Sequence, residues 1–95
     1  MRRTTMKKTQ SKEVVFQYTA APGSQVSVVG TFNNWDTKSH PMKDNPHGGV
    51  YATSVMLPSG RHEYKFIVNG KWCMDPKCTM SVPNPYGSLN NVLSV

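Results

Sequence analysis

Apolar and polar residues alternate with a period of two along much of the chain, and no stretch carries the 3.6-residue period of an amphipathic helix. Val14, Phe16 and Tyr18 alternate with their neighbours and predict a first strand over Glu13–Thr19. Val26 and Val28 repeat the pattern up to Gly30, and Val50–Leu57 is rich in β-branched and aromatic residues. In Arg61–Val68, His62, Tyr64, Phe66 and Val68 fall on one strand face. Asn69-Gly70 is the strongest local signal. Both residues tolerate positive φ, as a two-residue type I′ hairpin demands, which makes Lys71–Met74 the return strand. Turn chemistry recurs at Ala21-Pro22-Gly23-Ser24, Lys43–Gly49 and Pro58-Ser59-Gly60. Phe32-Asn33-Asn34-Trp35-Asp36 reads as loop. Asp75–Tyr86 holds Pro76, Pro83 and Pro85 and predicts little regular structure, before a last strand over Leu89–Val95. About seven short strands spaced roughly 8–12 residues apart predict an all-β antiparallel sandwich.

Size narrows the options. At 95 residues there is room for one domain with one modest core and no separate catalytic pocket. No apolar run is long enough to span a membrane. The start at Met1 is basic but leads into no apolar segment of the kind that marks a secretory signal, so a cytoplasmic, free-standing small protein is expected. The net charge of +6 is unevenly placed. Arg2, Arg3, Lys7, Lys8 and Lys12 lie in the first twelve residues, which contain no acid, whereas from Glu13 onward six basic residues face five acidic ones. Residues 1–12 are therefore expected as a disordered basic tail and 13–95 as a nearly neutral folded domain. Cys73 and Cys78 are expected as reduced thiols. The three histidines are scattered, so no metal is expected, and nothing calls for another cofactor.

The candidate chemistry is binding rather than catalysis. Glu13, Asp36, Asp44, Glu63 and Asp75 are the only acids, divided between strands and loops, and they read as turn formers or solvated charges. A glycosidase needs two carboxylates facing one another across a sugar. Phosphate-binding and nucleophile-elbow motifs are absent. Phe16, Tyr18, Tyr64 and Phe66 fit a core. Trp35, among Asn33, Asn34 and Asp36, and Trp72, two residues past the hairpin turn, do not. Indoles in wet places are over-represented at binding surfaces. The apolar face of a glucopyranose can lie flat on an indole while its hydroxyls take hydrogen bonds from groups such as Lys and Asn.

Four collinear blocks, Gly30-Thr31-Phe32-Asn33-Asn34-Trp35, Gly60 through Trp72, Asp75-Pro76 and Tyr86 through Leu93, closely resemble the glycogen-binding domain of the AMP-activated protein kinase β-subunit. That domain is grouped with the N-terminal modules of isoamylases and branching enzymes as family-48 carbohydrate-binding modules. The resemblance runs over roughly Glu13 to Val95. It implies an immunoglobulin-like sandwich that binds α-1,4-linked glucans of the glycogen or starch type without catalysis. By position it implies that Trp35 and Trp72 stack on glucose units and that Lys65 and Asn90 hydrogen-bond sugar hydroxyls. Tyr86 stands where kinase-type members place a leucine that enters the curve of the glucan, and Ser88 where a threonine is common. Lys65, between Tyr64 and Phe66, points away from the core by strand alternation. The alternative is a scaffold module that docks a kinase or amylolytic partner, a protein of glycogen metabolism or signalling, and touches no sugar. Nucleic-acid binding is not expected, because the folded part is nearly neutral and alternation sets the Tyr64 and Phe66 rings opposite Lys65. No membrane contact is expected either.

Overall fold

A computed structural model describes residues 11–45 and 48–95. Eight strands follow one another: β1 (Ser11–Thr19), β2 (Val26–Gly30), β3 (Pro41–Asp44), β4 (Val50–Pro58), β5 (Arg61–Val68), β6 (Lys71–Cys73), β7 (Ser81–Pro83) and β8 (Leu89–Ser94). Every pairing is antiparallel. The strands run β1-β4-β3-β2-β5-β8-β7 along one curled path, with β6 also on β5. Strand β3 turns the corner between layers. Pro41 and Met42 pair with β2, whereas Lys43 and Asp44 pair with β4. The result is the all-β antiparallel sandwich expected from the sequence.

Between the layers Phe16, Val26, Val28, Met42, Tyr51, Val55, Leu57, Tyr64 and Phe66 form one buried cluster. Its centre is aromatic. The Phe16 and Tyr64 rings meet edge-on at 5.0 Å, and Tyr18 and Phe66 lie 5.0 Å apart. The buried Tyr51 hydroxyl is satisfied by the first turn, donating to the Ala21 carbonyl at 2.9 Å and accepting from the Ser24 amide at 2.9 Å. The Asn69-Gly70 turn forms as predicted, with φ of 51° and 84°. Asn69 also ties this turn to the first one, its Oδ1 accepting from the Gln25 amide at 2.9 Å.

Three boundaries depart from the sequence expectation. Residues 1–10 of the expected tail lie outside the described residues, but Ser11 and Lys12 belong to β1, paired with Pro58 and Leu57. Strand β3 starts at Pro41 and Met42, which carry no sequence signal, and runs two residues into the expected Lys43–Gly49 turn. Only Met42 of its four residues is buried, too little to make a period. Strand β7 lies inside the expected loop, and its three residues end in Pro83. It sits at the end of the strand path, where a proline takes no hydrogen bond from the ladder. Among the described residues no helix is long and apolar enough to cross a membrane.

Candidate functional site

Strand β5 serves two surfaces. Tyr64 and Phe66 face the core, so Glu63, Lys65 and Ile67 face outward from the layer that β5 forms with β2, β6 and β8. Register brings Val29 beside Lys65 and Trp72 beside Ile67 on that outer face. Trp72 sits just past the Asn69-Gly70 hairpin and keeps 50% of its surface exposed.

Trp35 reaches the same surface by a sharp local turn. After Gly30 the chain makes one 3-10 turn over Thr31–Asn33, and Asn34 and Trp35 then take left-handed φ values of 55° and 58°. Asn33 braces this turn. Its Oδ1 accepts from the Gly30 amide at 3.0 Å, and its amide nitrogen bonds the Val28 carbonyl at 3.2 Å and His40 Nδ1 at 2.8 Å. The Trp35 amide donates back to Gly30 at 2.9 Å. Gly30 is required here by crowding, since a Cβ would collide with the Glu63 carbonyl and the Phe32 ring. Downstream, Asp36 accepts from the Lys38 amide and the Ser39 hydroxyl, both at 2.9 Å. These bonds, the Lys38 amide first, hold its carboxyl below the usual aspartate range.

The third wall is the loop over residues 84–88, organised by Asn84. Its Oδ1 accepts from the Tyr86 amide at 2.9 Å and the Ser88 amide at 3.1 Å. Its Nδ2 donates to Asn90 Oδ1 at 3.0 Å, and its own amide bonds the Ser88 carbonyl at 2.9 Å. Gly87, at φ 80°, closes the loop in a conformation that costs a side-chain-bearing residue more. Tyr86 is left 90% exposed.

Together these elements enclose an open groove of about 670 Å³ lined by Thr31, Trp35, Glu63, Lys65, Trp72, Asn84, Pro85, Tyr86, Ser88 and Asn90. All six residues singled out from the sequence line it. Two of them sit deeper than a strand-face reading implies. Lys65 is only 8% exposed and Asn90 only 6%, because the 84–88 loop folds across that face. Lys65 Nζ donates to Ser88 Oγ at 3.0 Å. Asn90 Nδ2 donates to Glu63 Oε1 at 3.1 Å. Its neighbour Asn91 is purely structural, bonding the Tyr64 carbonyl and the Asp75 amide.

Sequence reasoning missed Glu63, read as a solvated strand acid, and Asn84, which carried no signal of its own. Only the position of Glu63, two before Lys65, could have placed it on the same face. Behind the groove, burial and then the Asp75 carboxylate, 2.6 Å away, push the Tyr64 hydroxyl far above the ordinary tyrosine range. Among the described residues no cluster of three or more histidines, cysteines or acids is arranged to hold a metal ion.

A small β-sandwich that presents two indoles, a phenol and a row of amide, hydroxyl and charged groups along one open groove is built as a ligand-binding module. The chain belongs to the family described as the glycogen recognition site of AMP-activated protein kinase, whose model matches residues 12–95. It is similar to 5′-AMP-activated protein kinase subunit beta-1 of Sus scrofa, 34% identical over 90 residues, covering 90% of this chain and 66% of that protein. The Bos taurus beta-1 subunit is 36% identical over 90 residues, with 90% of this chain and 30% of the relative covered. The Homo sapiens beta-2 subunit is 34% identical over 86 residues, at the same coverages of 90% and 30%. The chain thus spans 30% of the bovine and human subunits and just under two thirds of the pig sequence.

Proposed function

We propose that the groove binds an α-1,4-linked glucan without catalysis. Trp35 and Trp72 would be stacking platforms, Tyr86 would engage the curve of the chain, and Lys65, Ser88 and Asn90 would bond its hydroxyls. The observation that carries this reading is that both indoles open onto one groove that also carries charged, amide and hydroxyl side chains. Stacking a glucose face on each indole contributes about 1.5–3 kcal/mol, in line with other large apolar contacts. Two platforms and a few hydrogen bonds, less the cost of ordering the ligand, correspond to roughly micromolar to millimolar affinity. Among the described residues Glu63 is the one acid lining the groove, so they place no opposed pair of carboxylates there for glycoside hydrolysis.

Titration with maltoheptaose or β-cyclodextrin, followed by tryptophan fluorescence, tests the proposal. Trp35→Ala and Trp72→Ala are each expected to lose most of the binding while the far-ultraviolet circular dichroism stays that of the folded domain. Normal binding by both variants would rule out the stacking platforms.

A second reading has its own observation. On the outer face of the sheet that pairs β1 with β4, Val15 and Met56 are 57% and 61% exposed, in the pairs Val15↔Ser54 and Glu13↔Met56 that neighbour one another on that face. Since the relatives are kinase subunits, this face suits contact with a protein partner. Retardation in native gels cast with glycogen separates the two: sugar binding slows the isolated domain, and protein docking alone does not.

A further inference from the structure

We infer that Glu63 contacts the glucan directly, taking the hydrogen of a glucose hydroxyl whose neighbour is held by Lys65, and that its carboxylate makes the groove prefer neutral over phosphorylated chains. This rests on the reading of the groove as a glucan site.

Glu63 and Lys65 stand two residues apart on one face of β5, about 6.6 Å along the strand, and both line the groove. Opposite charges placed so close would ordinarily pair. Here each is drawn to an uncharged partner instead: Lys65 Nζ to Ser88 Oγ, and Glu63 Oε1 to Asn90 Nδ2. Among the described residues neither makes an ion pair. An ammonium has three hydrogens and a carboxylate several lone pairs, so both keep unused capacity. Lys65 retains two donors, and Glu63 Oε2 is an open acceptor.

Sugar hydroxyls need both kinds of partner, since each offers one hydrogen and two lone pairs. Three other acceptors on this wall already receive one bond each. Asn90 Oδ1 receives Asn84, Thr31 Oγ1 receives the Glu63 amide, and Ser88 Oγ receives Lys65. The Glu63 carboxylate is also the only charged acceptor among the residues lining the groove. Charge-assisted hydrogen bonds are the stronger ones. The same charge works against a phosphate ester brought into the groove, which is selectivity by repulsion.

Glu63→Gln tests this, because glutamine keeps the length and an Oε1 acceptor for Asn90 but replaces Oε2 by a donor. Wild type and variant are titrated with maltoheptaose and with 6-phosphorylated maltoheptaose, with Tm measured alongside. The expected result is an about tenfold loss for maltoheptaose, a smaller loss or a gain for the phosphorylated chain, and an unchanged Tm. Unchanged maltoheptaose affinity, or an equal fall for both ligands, overturns the inference. If Glu63 serves only to hold Asn90, Glu63→Gln made in an Asn90→Ala background has no further effect, and that result also overturns it. Should Glu63→Gln unfold, Glu63→Asp replaces it, keeping the charge but withdrawing it from the sugar, with the same about tenfold loss for maltoheptaose expected. Failure of wild type to bind maltoheptaose at all would instead remove the glucan reading itself.

Discussion

Lys65 sets folding against binding within one side chain. It is 8% exposed, carries a full charge, and has one side-chain partner, the Ser88 hydroxyl. Burying a charge without a counter-charge is costly, and an uncharged partner offsets only part of that cost. On the proposed reading a glucan would supply what the fold withholds, because hydroxyl oxygens can accept the two remaining ammonium hydrogens. Lys65→Met keeps the aliphatic stem and removes the charge. It is expected to stabilise the domain by about 1 kcal/mol, raising Tm by about 4–8 °C for a domain of this size. Binding to maltoheptaose should fall by about tenfold or more. A lower Tm by scanning calorimetry would mean that the ammonium is a net stabiliser, contrary to this account. The outward direction of Lys65 was legible from the alternation Tyr64-Lys65-Phe66. Its burial was not, because the cover comes from a loop some twenty residues further along the chain. Glu63 escaped for a related reason: an acid on a strand looks alike whether it meets water or a groove.

At the scale of elements, the strands with two-residue periodicity were readable, and so was β6 from its hairpin turn, whereas β3 and β7 were not. Strand β4 runs nine residues with buried and open positions in alternation. Strands β3 and β7 have four and three residues, the first with one buried and the second with one half-buried side chain, so their pairing is imposed by neighbours rather than announced by pattern. The loop over 84–88 shows the same limit. Pro85, with Pro76 and Pro83 before it, marked the stretch up to Tyr86 as irregular, yet irregular does not mean loose. Asn84 joins Tyr86, Ser88 and Asn90 into a fixed wall. Removing that side chain leaves two loop amides and Asn90 Oδ1 without their partner. Asn84→Ala is therefore expected to cost about 2 kcal/mol in urea denaturation and to weaken glucan binding together with stability. Tyr86→Ala, on the same loop, should leave stability unchanged because the ring is 90% exposed, and should weaken β-cyclodextrin binding alone. Comparing the two variants separates presentation of the ring from contact by it. Equal stability losses would mean that Tyr86 packs against the loop rather than projecting from it.

Across the whole molecule, β5 links core and groove: Tyr64 and Phe66 anchor the sandwich while Glu63 and Lys65 line the groove on the opposite side. What loosens the core at Tyr64 therefore reaches the groove through a single strand. Tyr64 is one group through which alkali acts on stability. Burial and its hydrogen bond to Asp75 keep the phenol protonated well above its ordinary value of 10.0. With the folded pKa raised above the unfolded one, the stability this phenol confers is complete below about pH 10. It declines as the unfolded chain begins to ionise, by about 1.4 kcal/mol per pH unit, until the folded phenol titrates too. Tyr64→Phe lacks the proton and the bond. It should be less stable than wild type by about 1.5–3 kcal/mol at pH 8, the scale of a hydrogen bond to a charged group. By pH 11 the gap should narrow by about 1.4 kcal/mol, since only the wild type has a phenol whose ionisation favours unfolding. Groups elsewhere are common to both proteins and cancel in the difference. Urea unfolding at the two pH values measures it directly. A gap that stays constant would show that the Tyr64 hydroxyl ionises in the folded protein as it does in the open chain, and that the two layers open to solvent at this point.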